Sequence, residues 1–260
     1  MNTVIVPTDF SVASHNAAQY AIKLLSGLTG VEIILYHTYA HENEADNCYE
    51  NLERIKSELL TDETVNMTIL ADQGDFLTEL EKLARHRQAD LVIMGITGRS
   101  ASAQAFMGSN TLKMAENKFC PVLIVPPDCE YHTLKNVLLT SDLKNVVSST
   151  PSGPIKKILK TFEPNLHIVS VDSELYIALT EEQEAEKTKL KEMFAEFSPS
   201  FYFLRLFDVD EAINMFASDK NIDLIINIQK DHSLLHRLFN TSHTKNIVYH
   251  STVPVLVVHE

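Results

Sequence analysis

The chain has 260 residues, 45% of them hydrophobic, and a formal net charge of −13. That charge argues against a general nucleic-acid surface, because phosphate backbones need clustered Lys and Arg. No basic-then-apolar leader and no run of about eighteen apolar residues marks it for secretion or for a membrane. The 3 cysteines, Cys48, Cys120 and Cys129, form no CxxC and fit a reducing cytosol, so the expected location is cytoplasmic.

In chain order, Thr3 to Val6 reads as a first strand that leaves through Pro7-Thr8-Asp9. A helix capped by Ser11 follows, with Ala17, Ala18, Ala21, Ile22, Leu24 and Leu25 on one broad face, and it ends near Gly27. Val31 to His37 is a second strand, and Ala40 to Asn51, rich in His, Glu and Asn, reads as a variable segment. Val65 to Leu70 is a third strand. A helix then starts around Asp75 with Phe76, Leu77, Leu80, Leu83 and Ala84 at i, i+3, i+4 spacing, its acidic first turn suiting the helix dipole. Leu91 to Met94 and Val122 to Val125 supply strands four and five, with a potential helix from Ser109 to Lys118 between them. Nearly all-apolar strands alternating with helices imply an α/β fold whose parallel sheet is covered on both faces.

The whole order then recurs at an offset of 133 residues. Asp90-Leu91-Val92-Ile93 falls on Asp223-Leu224-Ile225-Ile226, and Pro121 to Val125 falls on Pro254 to Val258. Asp9 falls on Asp142 and Asp75 on Asp208. A period of this length is a whole domain. The expected division is 1–130 and 131–260, two copies joined by Pro126-Pro127-Asp128, which is too short to be a free linker.

Glycine is scarce, with 7 in the chain, yet Gly95, Gly98 and Gly108 fall close together after strand four. They could make a tight turn and a helix cap. They also let backbone approach a ligand, and the Ser109 and Thr111 hydroxyls with the N–H groups of a helix start can receive an anion. The spacing is neither a Walker A loop nor a dinucleotide GxGxxG. In a parallel sheet ligands sit beyond the carboxyl ends of the strands, where strand order reverses. If strands one and four are neighbours, Asp9 and the glycine loop line one crevice, the carboxylate taking ribose hydroxyls and the loop taking phosphates.

G-x-x-G, nine residues, then G-S, after a strand and paired with an Asp after strand one, closely resembles the ATP-binding universal stress proteins. The length resembles their tandem members. The resemblance implies two tandem Rossmann-like (adenine nucleotide α-hydrolase-like) domains, each a five-stranded parallel sheet with helices on both faces. It implies that Asp9 and Gly95 hold the ribose, that backbone near Thr38 reads the adenine edge, and that Pro7 and Met94 wall base and sugar. Gly98, Gly108, Ser109, Asn110 and Thr111 would cradle the phosphates of ATP, with Mg²⁺ as companion ion. It also implies that strand-five edges pair domains, giving an intramolecular pseudo-dimer, with a homodimer as a further step. Arg99 fits a solvated arginine better than a phosphate partner.

In the second copy Ile228, Asp231 and Thr241 replace Gly95, Gly98 and Gly108, although Ser242, Thr244 and Asp142 persist. A branched side chain and a carboxylate there oppose a phosphate, so this half is expected not to bind ATP. His232, His236 and His243 cluster nearby, but no Cys or HExxH accompanies them and no metal is expected. The charge run of Glu181 to Lys187 reads as the solvated face of a helix within Thr180 to Glu196.

No Ser-His-Asp spacing, HExxH or Walker lysine argues for catalysis, so no catalytic residue is assigned and at most slow ATP hydrolysis is expected. The expectation is a stress-response protein that uses an adenine nucleotide as switch or stabilising ligand, without nucleic-acid or membrane partners. The alternative is a nucleotide-free scaffold acting through protein contacts. An adenylate-forming ligase or pyrophosphatase is weakened by the absence of SGGxDS and HIGH motifs.

Overall fold

A computed structural model of the chain describes residues 1–60, 65–96, 109–127, 129–172, 179–205, 208–229 and 252–260. Gly98, Arg99, Gly108, Asp231, Thr241, Ser242, Thr244 and the three clustered histidines lie outside the described residues. The chain divides into two compact units, Met1–His132 and Thr133–Glu260.

In the first unit β1 (Thr3–Pro7), β2 (Glu32–Tyr39), β3 (Asn66–Gln73), β4 (Leu91–Gly95) and β5 (Val122–Val125) pair in parallel in the order β3-β2-β1-β4-β5. Val4, Ile5, Ile33, Ile34, Val92, Ile93 and Ile124 are buried, because helices cover the central strands, while the edge strand β3 is partly exposed. α1 (Val12–Leu25) buries Ala17, Ala18, Ala21, Leu24 and Leu25, and Ser11 caps it by accepting from the Ser14 N–H. α3 (Phe76–Arg87) is capped in the same way by Asp75 and buries Leu80, Leu83 and Ala84. α4 runs Ser109–Glu116.

The segment after β2 differs from its sequence reading. Glu42–Glu44 is a 3-10 helix and Ala45–Leu59 is helix α2, which buries Cys48, Leu52, Ile55 and Leu59. Those apolar residues recur at helical spacing beneath a polar majority, and the polar composition concealed the stripe. The stretch beyond β5 is tied to α1, since the Asn16 side-chain amide donates to the Pro126 and Cys129 carbonyls. All three cysteines are free, and burial pushes the Cys120 thiol up to about 12 and the Cys129 thiol up to about 11, which keeps both protonated.

The second unit repeats the plan: β6 (Asn136–Thr140), β7 (Asn165–Asp172), β8 (Ser200–Arg205), β9 (Leu224–Gln229) and β10 (Val255–His259), parallel in the order β8-β7-β6-β9-β10. Two helices depart from the repeat. Where the first unit has the continuous α1, the second has α5 (Val146–Ser149) and α6 (Ser152–Phe162), separated by Thr150 and Pro151. α7 (Glu181–Met193) starts with a capping box between Thr180 and Gln183. Its charge run is not wholly solvated: Glu186 is buried, accepts the Val146 N–H at 2.6 Å, and meets the Lys189 ammonium at 2.6 Å. α8 (Val209–Asp219) completes the set.

His167 on β7 replaces the first unit's Ile34 and carries a buried Nδ1 with no hydrogen-bond partner among the described residues. Its ring packs 5.7 Å from that of Tyr202 and 6.2 Å from that of Phe216. Burial, assisted by Lys220, holds its pKa below the ordinary histidine value, so the unfolded chain takes up the proton first. Stability is therefore untouched well above pH 6.5 and falls as pH drops below it. Thermal midpoints at pH 7.5 and 5.5 should drop more in the wild type than in His167→Leu, and equal drops would refute this role.

Candidate functional site

At the carboxyl edge of the first unit's sheet lies a cavity of about 410 Å³, within the size range of small-molecule sites. Pro7, Thr8 and Asp9 leave β1, His37 and Thr38 end β2, Met94 and Gly95 end β4, and Asn110 and Thr111 open α4. Ala13 and Ser14 of α1 and Phe76 of α3 close the remaining sides. The strand order explains the convergence, since β1 lies between β2 and β4 and the connections from β1 and β4 leave in opposite directions along the sheet.

The β1–α1 turn is built from its own side chains. The Ser11 N–H donates to Asp9 Oδ1 at 3.1 Å, and the Phe10 N–H donates to Thr8 Oγ1 at 3.0 Å. Phe10 adopts φ 64°, a left-handed conformation that costs a non-glycine residue about 1 kcal/mol. The second unit reproduces the turn: Lys144 N–H donates to Asp142 Oδ1 at 3.1 Å, Leu143 N–H donates to Ser141 Oγ at 3.1 Å, and Leu143 has φ 52°. Asp9 itself is exposed at the cavity rim. Partial enclosure pushes its carboxyl up, but hydrogen bonds from Ser11, with a contribution from Ser14, outweigh this and hold it below the usual carboxylate value. A carboxylate at the rim is thus ionised at neutral pH and able to accept hydroxyl donors.

Gly95 is bare for a reason within the protein. A Cβ there would lie 2.2 Å from the Ala13 carbonyl oxygen and 2.7 Å from its carbon, so α1 can start where it does only against a glycine. Ile228 occupies this position in the second unit and is buried, and α5 there starts at Val146, the counterpart of Ala13. The break between α5 and α6 falls at Thr150 and Pro151.

Thr111 is buried and its hydroxyl donates to the Gly95 carbonyl at 2.9 Å. That proton is committed, so the hydroxyl cannot donate to an anion, and what α4 offers is its first-turn N–H groups, which have no intrahelical partner. Gly108, which precedes α4 in sequence, has no side chain with which to cap it, whereas α1 and α3 carry Ser11 and Asp75 as caps. Among the described lining residues there is no Lys or Arg, and no cluster of His, Cys, Asp and Glu among the described residues could hold a metal ion.

Pro7, Asp9, Thr38, Met94, Gly95, Asn110 and Thr111 were all expected at one site, and all line this cavity. Ser109 is the first residue of α4. The sequence reading put Thr8 at this edge only as part of the strand exit, read Ser11 only as a helix cap, and gave Ala13, Ser14, His37 and Phe76 no place in the site. His37 was the last residue of the expected second strand, and its place at the carboxyl edge was the signal that could have marked it.

The sequence profile of the Universal stress protein family matches residues 1–126 and 163–259. The chain belongs to the universal stress protein family. A member from Methanocaldococcus jannaschii is 24% identical over 136 residues, 47% of this chain and 80% of that one. The solved structure of a universal stress protein from Archaeoglobus fulgidus superposes with a TM-score of 0.71 at 18% identity, over 100% of this chain and 96% of its own. A functionally unknown protein from Pseudomonas aeruginosa gives 0.63 at 13% identity, over 100% of this chain and 92% of its own. At these identities the structural likeness is one of fold. Both family-profile segments fall on the repeated α/β units, and among the described residues no helix is long and apolar enough to cross a membrane.

Proposed function

We propose that the first unit binds one adenine nucleotide, ATP with Mg²⁺, as the ligand through which this universal stress protein senses or is stabilised. The observation that carries this is the order of chemical groups along the cavity. His37 and Thr38 end β2, Asp9 follows β1, and the N–H groups of α4 follow β4, in the spatial order β2-β1-β4. The two outer strands are about 10 Å apart, two strand spacings, which suits a base at one end and phosphates at the other. The ionised Asp9 between them is placed for ribose hydroxyls. Phosphates would meet helix N–H groups and the helix dipole in place of cationic side chains. Gly98 and Gly108 complete the cradle in this reading, and the second unit, with Ile228 at the Gly95 position, binds none.

Calorimetric titration of ATP with Mg²⁺ into the wild type and into Gly98→Asp, which copies Asp231 of the second unit, tests the proposal. One site per chain, abolished by the substitution, is the expected result. No heat in the wild type would overturn it and leave the scaffold reading.

A further inference from the structure

The first unit fills the space beside its β1–α1 turn with two rings. Phe10 packs on His37 with centroids 4.3 Å apart and planes at 38°, and His37 Nδ1 lies 2.7 Å from the Thr8 carbonyl oxygen. The second unit builds the same backbone there. Ser141 N–H donates to the Val169 carbonyl at 2.9 Å just as Thr8 N–H donates to the Tyr36 carbonyl at 2.8 Å, and Leu143 and Phe10 are both left-handed. At the two ring positions the repeat puts Leu143 for Phe10 and Ser170 for His37. Both replacements are smaller, and a cavity of about 80 Å³ lies against the two of them.

The other walls of this cavity are mainly apolar. Ile168 is buried on β7, Leu179 precedes α7, and Phe201 and Phe203 come from alternate positions of β8. Tyr202, between them, commits its ring to His167 and Phe216. Two polar side chains interrupt the apolar lining: buried Ser170, and Lys187 of α7. The Lys187 ammonium meets Glu184 at 3.2 Å, in a pair whose side chains are 35% and 54% exposed, so the charge stands on the solvent side. An ion pair this exposed contributes little, and the ammonium can turn to another anion at small cost. Protein interiors keep few voids larger than a water molecule, so space left where the sister unit packs two rings calls for an occupant.

We propose that the second unit carries a ligand site of its own in this cavity, for a short-chain aliphatic monocarboxylate, which goes beyond the nucleotide reading and does not depend on it. The alkyl body lies among Ile168, Phe201 and Phe203 in the space that Leu143 and Ser170 leave open, and the carboxylate meets the Lys187 ammonium. Size sets the class, since a cavity of about 150 Å³ takes benzene and this one, at about 80 Å³, takes a smaller body. Charge sets the head group, because an ammonium beside an apolar cavity favours a carboxylate over an alcohol.

The test is titration of sodium butyrate into the full-length wild type, with sodium chloride as the ionic-strength control, followed by the methyl NMR shifts of Ile168 and Leu179. Saturable shifts with a Kd of about 1 mM are expected, a modest affinity set by the few atoms of the ligand. Lys187→Gln should weaken butyrate binding about tenfold. The double change Leu143→Phe with Ser170→His restores the first unit's ring pair and should abolish binding. Lys187 is partly exposed, so Lys187→Gln keeps the fold and decides the matter even where the double variant does not fold. No saturable shift in the wild type, or unchanged affinity in Lys187→Gln, would overturn the proposal. Unchanged affinity in a folded double variant would do so as well, by placing the ligand elsewhere.

Discussion

Gly95→Ala should destabilise the first unit by roughly 3 kcal/mol or more and lower its thermal midpoint by about 10 °C, with no ligand present. The added methyl carbon would meet the Ala13 carbonyl oxygen at 2.2 Å and the carbonyl carbon at 2.7 Å. Both are backbone atoms, so no rotamer change relieves the clash, and α1 must move away from the end of β4. That movement shifts Ala13 and Ser14, two walls of the cavity, and ATP affinity should fall with stability. The reverse change, Ile228→Gly in the second unit, should also destabilise, because it empties buried space without rejoining α5 and α6 across Pro151. Differential scanning calorimetry of the two variants checks both. An unchanged midpoint in Gly95→Ala would mean that the glycine is bare for the ligand alone.

Asp9→Asn should weaken ATP binding roughly tenfold while leaving the fold in place, the reverse of the Gly95 pattern. The asparagine side-chain oxygen can still accept the Ser11 N–H that Asp9 Oδ1 takes at 3.1 Å, so the turn survives. What is lost is charge: a hydrogen bond to an ionised acceptor is worth about 1 kcal/mol more than one to a neutral acceptor. The native carboxyl sits below its ordinary pKa, so its contribution to stability is present above about pH 3.9 and is lost as pH falls through the lowered folded value. In Asp9→Asn the thermal midpoint should depend less steeply on pH below about 4 than in the wild type. Titration of ATP at pH 7.5 gives the affinity comparison, and equal affinities would remove Asp9 from the binding site.

The repeat was legible because its parts are long and apolar. Strands such as Val92-Ile93 and Val122 to Val125 announce themselves by composition, and the same order at an offset of 133 leaves little choice of topology. The helix caps at Ser11 and Asp75 were read from the same signals that the structure uses. α2 was missed because its buried residues are a minority among Asn, Glu and Asp, and composition over a short window outweighed periodicity. Glu186 was read as solvated because nothing in its neighbours in sequence announces Val146, which lies 40 residues away and supplies the N–H that the carboxylate accepts.

By itself the sequence determined the fold class, the two copies and the group of residues at the first unit's carboxyl edge, since these depend on periodic burial and on chain order. Only the tertiary structure decided what each group is free to do. The Thr111 hydroxyl proton is committed to Gly95, the bareness of Gly95 is required by Ala13, and His37 Nδ1 is tied to the Thr8 carbonyl. Each of these rests on an atom far along the chain approaching within hydrogen-bonding or van der Waals distance, and a one-dimensional pattern does not encode distances.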